Sequence, residues 1–166
     1  MKMQKPAWLK SAGAFTMATG GPTREDTWHV SVLVEDMAAG DGSMLDFATW
    51  DKQGGGDVDS SDTTYRPGAM GPQISLGGPK TTSNVTASRL YRLERDHAHV
   101  GKLVAAVGRG RMTVIKQPLD IEGNAFGKPL VYNGRLKTVK FPTVDSEATG
   151  AAMIELEMSV EGDPAV

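Results

Sequence analysis

The chain has 166 residues, with 18 basic and 20 acidic side chains, 20 glycines, nine prolines and no cysteine. That length suits one domain with a sizeable buried core, and the missing cysteines exclude disulfides and thiolate metal sites. No apolar run approaches the roughly 20 residues of a membrane helix, and a pI near 5.9 leaves no dominant positive footprint for nucleic acid.

The net charge of −2 conceals segregation. Residues 41–79 carry six acids and two bases, residues 80–116 eight bases and two acids, and residues 142–166 six acids and no base. Such runs serve either as solvated faces or as opposite patches that steer one copy onto another.

In chain order, the opening M-K-M-Q-K-P-A-W-L-K starts basic but lacks the apolar stretch of a secretory signal. The acceptor pattern Asn84-Val85-Thr86 is therefore read as a chance glycosylation match. Residues 7–17 form a first strand or an arm, with Trp8 and Phe15 as its anchors. Residues 27–35 alternate: Trp28, Val30, Val32 and Val34 share one face, and His29, Ser31, Leu33 and Glu35 the other. A shorter strand follows at 45–50. From 51 to 79 the chain reads as loop, with G-G-G at 54–56, the acidic D-V-D-S-S-D of 57–62, and Arg66-Pro67-Gly68. A structureless stretch of that length is disordered, functional, or a long hairpin with weak signals. Its reach suits contact with a neighbouring molecule.

Residues 84–93 read as strand. A single helix follows, with Asp96 as N-cap, Val100, Leu103, Val104 and Val107 at i, i+3, i+4, i+7, and Gly108 as stop. Strands return at 111–117 and 130–141, separated by the turn-rich D-I-E-G-N-A-F-G-K-P of 120–129. Within 130–141, Asn133-Gly134 tolerates the positive φ angles of a type I′ turn, which signals a hairpin. Residues 151–160 alternate again, with Ala152, Ile154, Leu156, Met158 and Val160 opposite Met153, Glu155, Glu157 and Ser159. The expected fold class is mainly β: a β-sandwich or small barrel with one flanking α-helix. It forms a single domain over 1–166, with an N-terminal arm of about 1–20 and a long loop at about 51–80.

Catalytic groups are scarce. His97 and His99 lie roughly 200° apart around a helix and do not share a metal, and His29 sits on a strand beside valines. Asp57, Asp59 and Asp62 resemble a calcium loop only loosely: Asp62 replaces the glycine at its sixth position and no Glu closes it. Gly108-Arg109-Gly110-Arg111 lacks the spacing and final Lys of a phosphate loop. No G-x-S-x-G elbow occurs. The expectation is a protein that is not an enzyme and uses no metal or cofactor. Met153 and Met158 are packing residues, adaptable enough for a subunit contact. Glu155 and Glu157 fit either an ordinary solvent face or a channel wall that repels a passing polyanion.

The run of residues 117–158, Q-P-L-D-I-E-G-N-A-F-G-K-P-L-V-Y-N-G-R-L-K-T-V-K-F-P-T-V-D-S-E-A-T-G-A-A-M-I-E-L-E-M, resembles the tail tube proteins of tailed bacteriophages. Looser similarity extends through the helix and the preceding R-L-Y-R-L-E-R-D. The resemblance implies a structural virion protein that self-assembles into hexameric rings, stacked as a hollow tube for DNA delivery. It implies partners: further copies of the chain, tape-measure, terminator and baseplate proteins, and double-stranded phage DNA passing without specific binding. It places the protein in the virion tail, with assembly in the host cytoplasm. Glu155 and Glu157 become lumen candidates. Trp8, Phe15, Asp57, Asp59, Asp62, Arg66, Arg89, Arg92, Arg109 and Arg111 become candidates for contacts between subunits or rings. The alternative is a monomeric β-barrel binding a small ligand in its mouth.

Overall fold

The computed structural model describes residues 27–68, 71–143 and 150–166. Trp8 and Phe15 lie outside them. Nine strands form two antiparallel sheets. The larger has seven strands in the order β2-β1-β7-β8-β9-β6-β3, and the smaller is the hairpin β4-β5. The strands are β1 (Trp28–Glu35), β2 (Met44–Trp50), β3 (Lys52–Gly55), β4 (Val58–Tyr65), β5 (Ile74–Thr82), β6 (Val85–Leu90), β7 (Arg111–Pro118), β8 (Leu130–Lys140) and β9 (Met153–Val160).

Strict alternation dictates the body. Val30, Val32 and Val34 of β1 turn inward with Met112 and Val114 of β7, Tyr132 and Leu136 of β8, and Ile154, Leu156 and Met158 of β9. Met158 is thus a core residue rather than a subunit contact; Met153 is half-buried on the opposite face. The sheet curls without closing into a barrel. Only Asp51 separates β2 at one margin from β3 at the other. Side chains stand in for the missing ladder: the Leu90 N–H donates to the Asp51 carboxylate at 2.9 Å, and the Arg89 guanidinium donates to the Phe47 carbonyl. Where β2 bulges, Ala48 adopts φ 54°, the one non-glycine in the left-handed region among the described residues.

Three expectations are corrected. Asn133-Gly134 is not a turn: β8 runs through it unbroken, pairing Thr113 with Asn133 and Gly134 with Val160. The glycine is there for space, since a Cβ would lie 2.0 Å from the Ser159 carbonyl oxygen. Residues 51–79 are not loop but β3, β4 and the start of β5, the long hairpin among the three readings. The helix starts earlier, as α1 (Leu93–Asp96), tightens into a 3₁₀ turn at His97–His99, and continues as α2 (Val100–Ala106). Asp96 does not cap it; its carboxylate accepts from the Arg92 N–H at the helix start, at 2.8 Å. The tighter turn shifts the helical phase, so Leu103 and Ala106 are buried while Val104 and Val107 face outward. Gly108, at φ 77°, ends the helix and donates its N–H to Leu136 of β8.

Candidate functional site

Three surfaces carry the residues singled out by sequence. The first is the outer face of β8, β9 and β6. Alternation places Glu155 and Glu157 there as expected, with Ser88 and Thr86 beside them on β6. Their partners were missed. Lys140 donates to Glu155 at 2.5 Å, and Lys137 and Asn84 each donate to Glu157 at 2.8 Å. Hydrogen bonding from Lys137, then from Asn84, holds the Glu157 carboxyl below its ordinary value, and Glu155 raises the Lys140 ammonium. Alternation already places Lys137 outward, and a register shift between Leu136 and Thr138 brings Lys140 to the same face opposite Glu155. The alternation of β8 alone gives no hint of it, because a bulge breaks the period of two. The wall is therefore close to charge-balanced.

The acidic C-terminal run is matched throughout the described residues. Besides these two pairs, Glu161 meets Arg135 at 2.9 Å and Asp163 meets Lys80 at 3.7 Å. The segregation by sequence is consumed largely inside one chain.

The second surface is the β4-β5 hairpin. Its root is fixed: the Gly56 and Asp57 N–H groups donate to the Ser83 hydroxyl at 3.0 Å, and Thr82 donates to the Gly162 carbonyl. Gly56, at φ 83°, lies so close to the Tyr132 ring that a Cβ would sit 2.7 Å from it. Beyond the root, every residue of β4 is exposed. Pairing puts Tyr65 opposite Ile74 and Thr63 opposite Leu76 on one face, with Thr64, Ser75 and Asp62 on the other. Tyr65, Ile74 and Leu76 are 57%, 47% and 51% exposed. An isolated hairpin is marginal in water, and this one presents an apolar face that nothing among the described residues covers. Asp59 and Asp62 are spread along β4, with Asp57 just before it and Arg66 just after, so they do not form a calcium loop. The apolar face was not legible in the sequence, since Tyr65, Ile74 and Leu76 stand scattered among Ser, Thr, Asp, Gly and Pro with no core-like alternation.

The third surface surrounds the helix. Arg92, Arg109 and Arg111 are exposed, and their guanidinium groups have no ion-pair partner among the described residues. Arg89, expected at a contact between subunits or rings, is 2% exposed and engaged within its own chain. It packs over the Trp50 ring at 4.5 Å and pairs with Asp96, which Arg95 also contacts at 3.0 Å. Burial alone would push the Asp96 carboxyl up, but the hydrogen bonds from Arg95 and the Arg92 N–H, with the Arg89 charge, hold it below its ordinary value. Arg89, Asp96 and Arg95 thus bind β2, β6 and the helix together.

No three His, Asp or Glu side chains among the described residues are placed to hold a metal ion. His97 contacts the Tyr91 hydroxyl at 3.3 Å, His99 packs edge-on against Phe47, and His29 is exposed. No described helix is long and apolar enough to cross a membrane. An open cleft of ≈ 640 Å³ lies on the outer face at the start of β7, not in a barrel mouth.

The architecture is that of phage-tail-like tube and cap components, and the resemblance read from residues 117–158 holds at the level of fold. Neither a family model nor a curated protein sequence matches the chain. Among solved structures it is similar to a chain of the anti-feeding prophage tube terminating cap, with TM-score 0.62, 14% identity, and 93% of this chain and 97% of that one covered. It is also similar to a chain of the PVC extracellular contractile injection system, from its sheath-tube complex in the extended state. There the TM-score is 0.60 and the identity 15%, over 92% and 96% of the two chains. A chain of the PVC sheath/tube terminator gives TM-score 0.61 at 13% identity, over 89% and 98%.

Proposed function

We propose that the chain is a structural, non-enzymatic subunit of a phage-like tail. It self-assembles into hexameric rings that stack as a tube through which DNA is delivered. The near end-to-end correspondence of fold with components of tube, cap and terminator assemblies carries this reading. The apolar face of the β4-β5 hairpin supports it, because no described residue covers that face and a further copy would bury it. The open margins of β2 and β3 support it too, since ring closure fills unpaired ladder groups. In this reading Glu155 and Glu157 face the lumen, where their lysine partners make the wall nearly neutral toward a passing polyanion. Tape-measure, terminator and baseplate proteins complete the tail of the virion, assembled in the host cytoplasm.

Negative-stain microscopy of the concentrated protein tests the reading. Six-fold rings or tubes are expected. A species that stays monomeric at every concentration overturns it. Removing residues 58–65 and 74–82 together with their connection should leave the seven-stranded body folded and abolish stacking. Undiminished tube yield rules out the hairpin as the contact.

A further inference from the structure

The turn between β7 and β8 is unusually well braced for an exposed loop. The Asp120 carboxylate accepts the Glu122 and Asn124 N–H groups at 2.9 and 2.8 Å, and the Asp120 N–H donates to the Asn124 carbonyl at 2.8 Å. Leu119 bridges Ala125, and the Phe126 N–H donates to the Pro118 carbonyl. The apex held in this way is apolar: Ile121 is 100% exposed and Phe126 59%. A lone exposed Ile carries no message, but two large apolar groups on a preorganised turn lose little entropy on docking. Glu122, beside the apex, has no partner among the described residues.

The open cleft lies at the opposite end of the same strand pair. Its lining includes Gly42, the partly exposed Met44 and the backbone beside Met112 and Gly134, and Arg111 stands at its edge. Met44 is 38% exposed, and the Arg111 guanidinium has no ion-pair partner among the described residues. Arg135 is already paired with Glu161, and the Glu35 carboxylate accepts the Arg111 backbone N–H. Eight residues of β7 separate the two features, about 25 Å of extended chain.

We propose that the Asp120-braced turn of one copy docks into the Arg111-edged cleft of the next. Ile121 and Phe126 meet the exposed Met44 side chain, and Glu122 pairs with the Arg111 guanidinium. Knob and cleft are different patches, so the contact is heterologous and propagates from copy to copy. It rests on the self-assembly reading but names a surface separate from the hairpin.

Four full-length variants test it: Ile121→Asp, Glu122→Arg, Arg111→Glu, and the last two combined. All change exposed side chains, and unchanged melting temperatures verify the fold. Each single variant should cut the assembled fraction, read by sedimentation and negative stain, by roughly tenfold or more, the effect of about 1.4 kcal/mol. The combined charge exchange should restore assembly. Wild-type-like assembly by all three single variants, or no recovery in the combined one, overturns this contact alone if the wild type forms tubes. A wild type that never assembles overturns both this contact and the self-assembly reading.

Discussion

Replacing Arg89 by methionine keeps the stem that lies on Trp50 but leaves Asp96 buried beside only the half-exposed Arg95. Losing one partner of a buried pair costs about 3–5 kcal/mol, and chemical denaturation should show it. Exchanging both Arg89 and Asp96 for apolar residues should cost much less. The sign with pH follows from the depressed Asp96 carboxyl. Its contribution is fully present above the ordinary carboxylate value and is lost as pH falls through the lower folded value. Acid titration of Asp96→Asn should therefore show a flatter fall in stability below that ordinary value. Backbone effects act at the same scale. Ala48 holds φ 54°, so Ala48→Gly should stabilise by about 0.5–1 kcal/mol. Gly134→Ala drives a methyl into the Ser159 carbonyl, and should destabilise by about 1–3 kcal/mol. Thermal melts of the two variants should move in opposite directions.

Among the elements, those with one buried face were legible because alternation is itself the cause of burial. Trp28–Glu35 and Met153–Val160 needed only their own valines, isoleucine and leucine to declare a core side. Val58–Tyr65 was illegible because no residue of it is buried within the chain, so no selection for alternation marks it. The helix was found, but the 3₁₀ turn at His97–His99 reset its phase, and no sequence rule registers that. Gly134 misled for another reason: glycine serves both turns and close strand contacts, and the residue type does not distinguish them. Of the lysines facing Glu155 and Glu157, Lys140 was hidden by a bulge. Their presence changes the expected outcome of Glu155→Lys with Glu157→Lys. Four lysines would then face each other on exposed strands, costing about 0.2–1 kcal/mol per pair. The fold should survive, and DNA delivery by the resulting tubes should fall; unimpaired delivery would remove these acids from the lumen.

At the scale of the whole molecule, the mainly β expectation holds, while the charge runs did not translate into free patches among the described residues. Most acids of 142–166 find bases on neighbouring strands. In the proposed assembly, association would rest on apolar groups and the few guanidinium groups without a partner among the described residues, which makes a clear prediction for salt. Raising ionic strength should weaken assembly only modestly, because few exposed charges contribute. Dissolution of tubes by moderate salt would instead show that ion pairs between copies dominate.

Asp51 has a mechanical consequence. It is the sole link between the strands at the two rims of the large sheet, and its carboxylate also clasps the Leu90 N–H. A protease clip at that peptide would unhook one rim from the other while leaving every ladder bond in place. The curl would then depend on the Arg89–Asp96–Arg95 cluster and the buried Phe47 and Trp50, and the nicked protein should melt at a lower temperature.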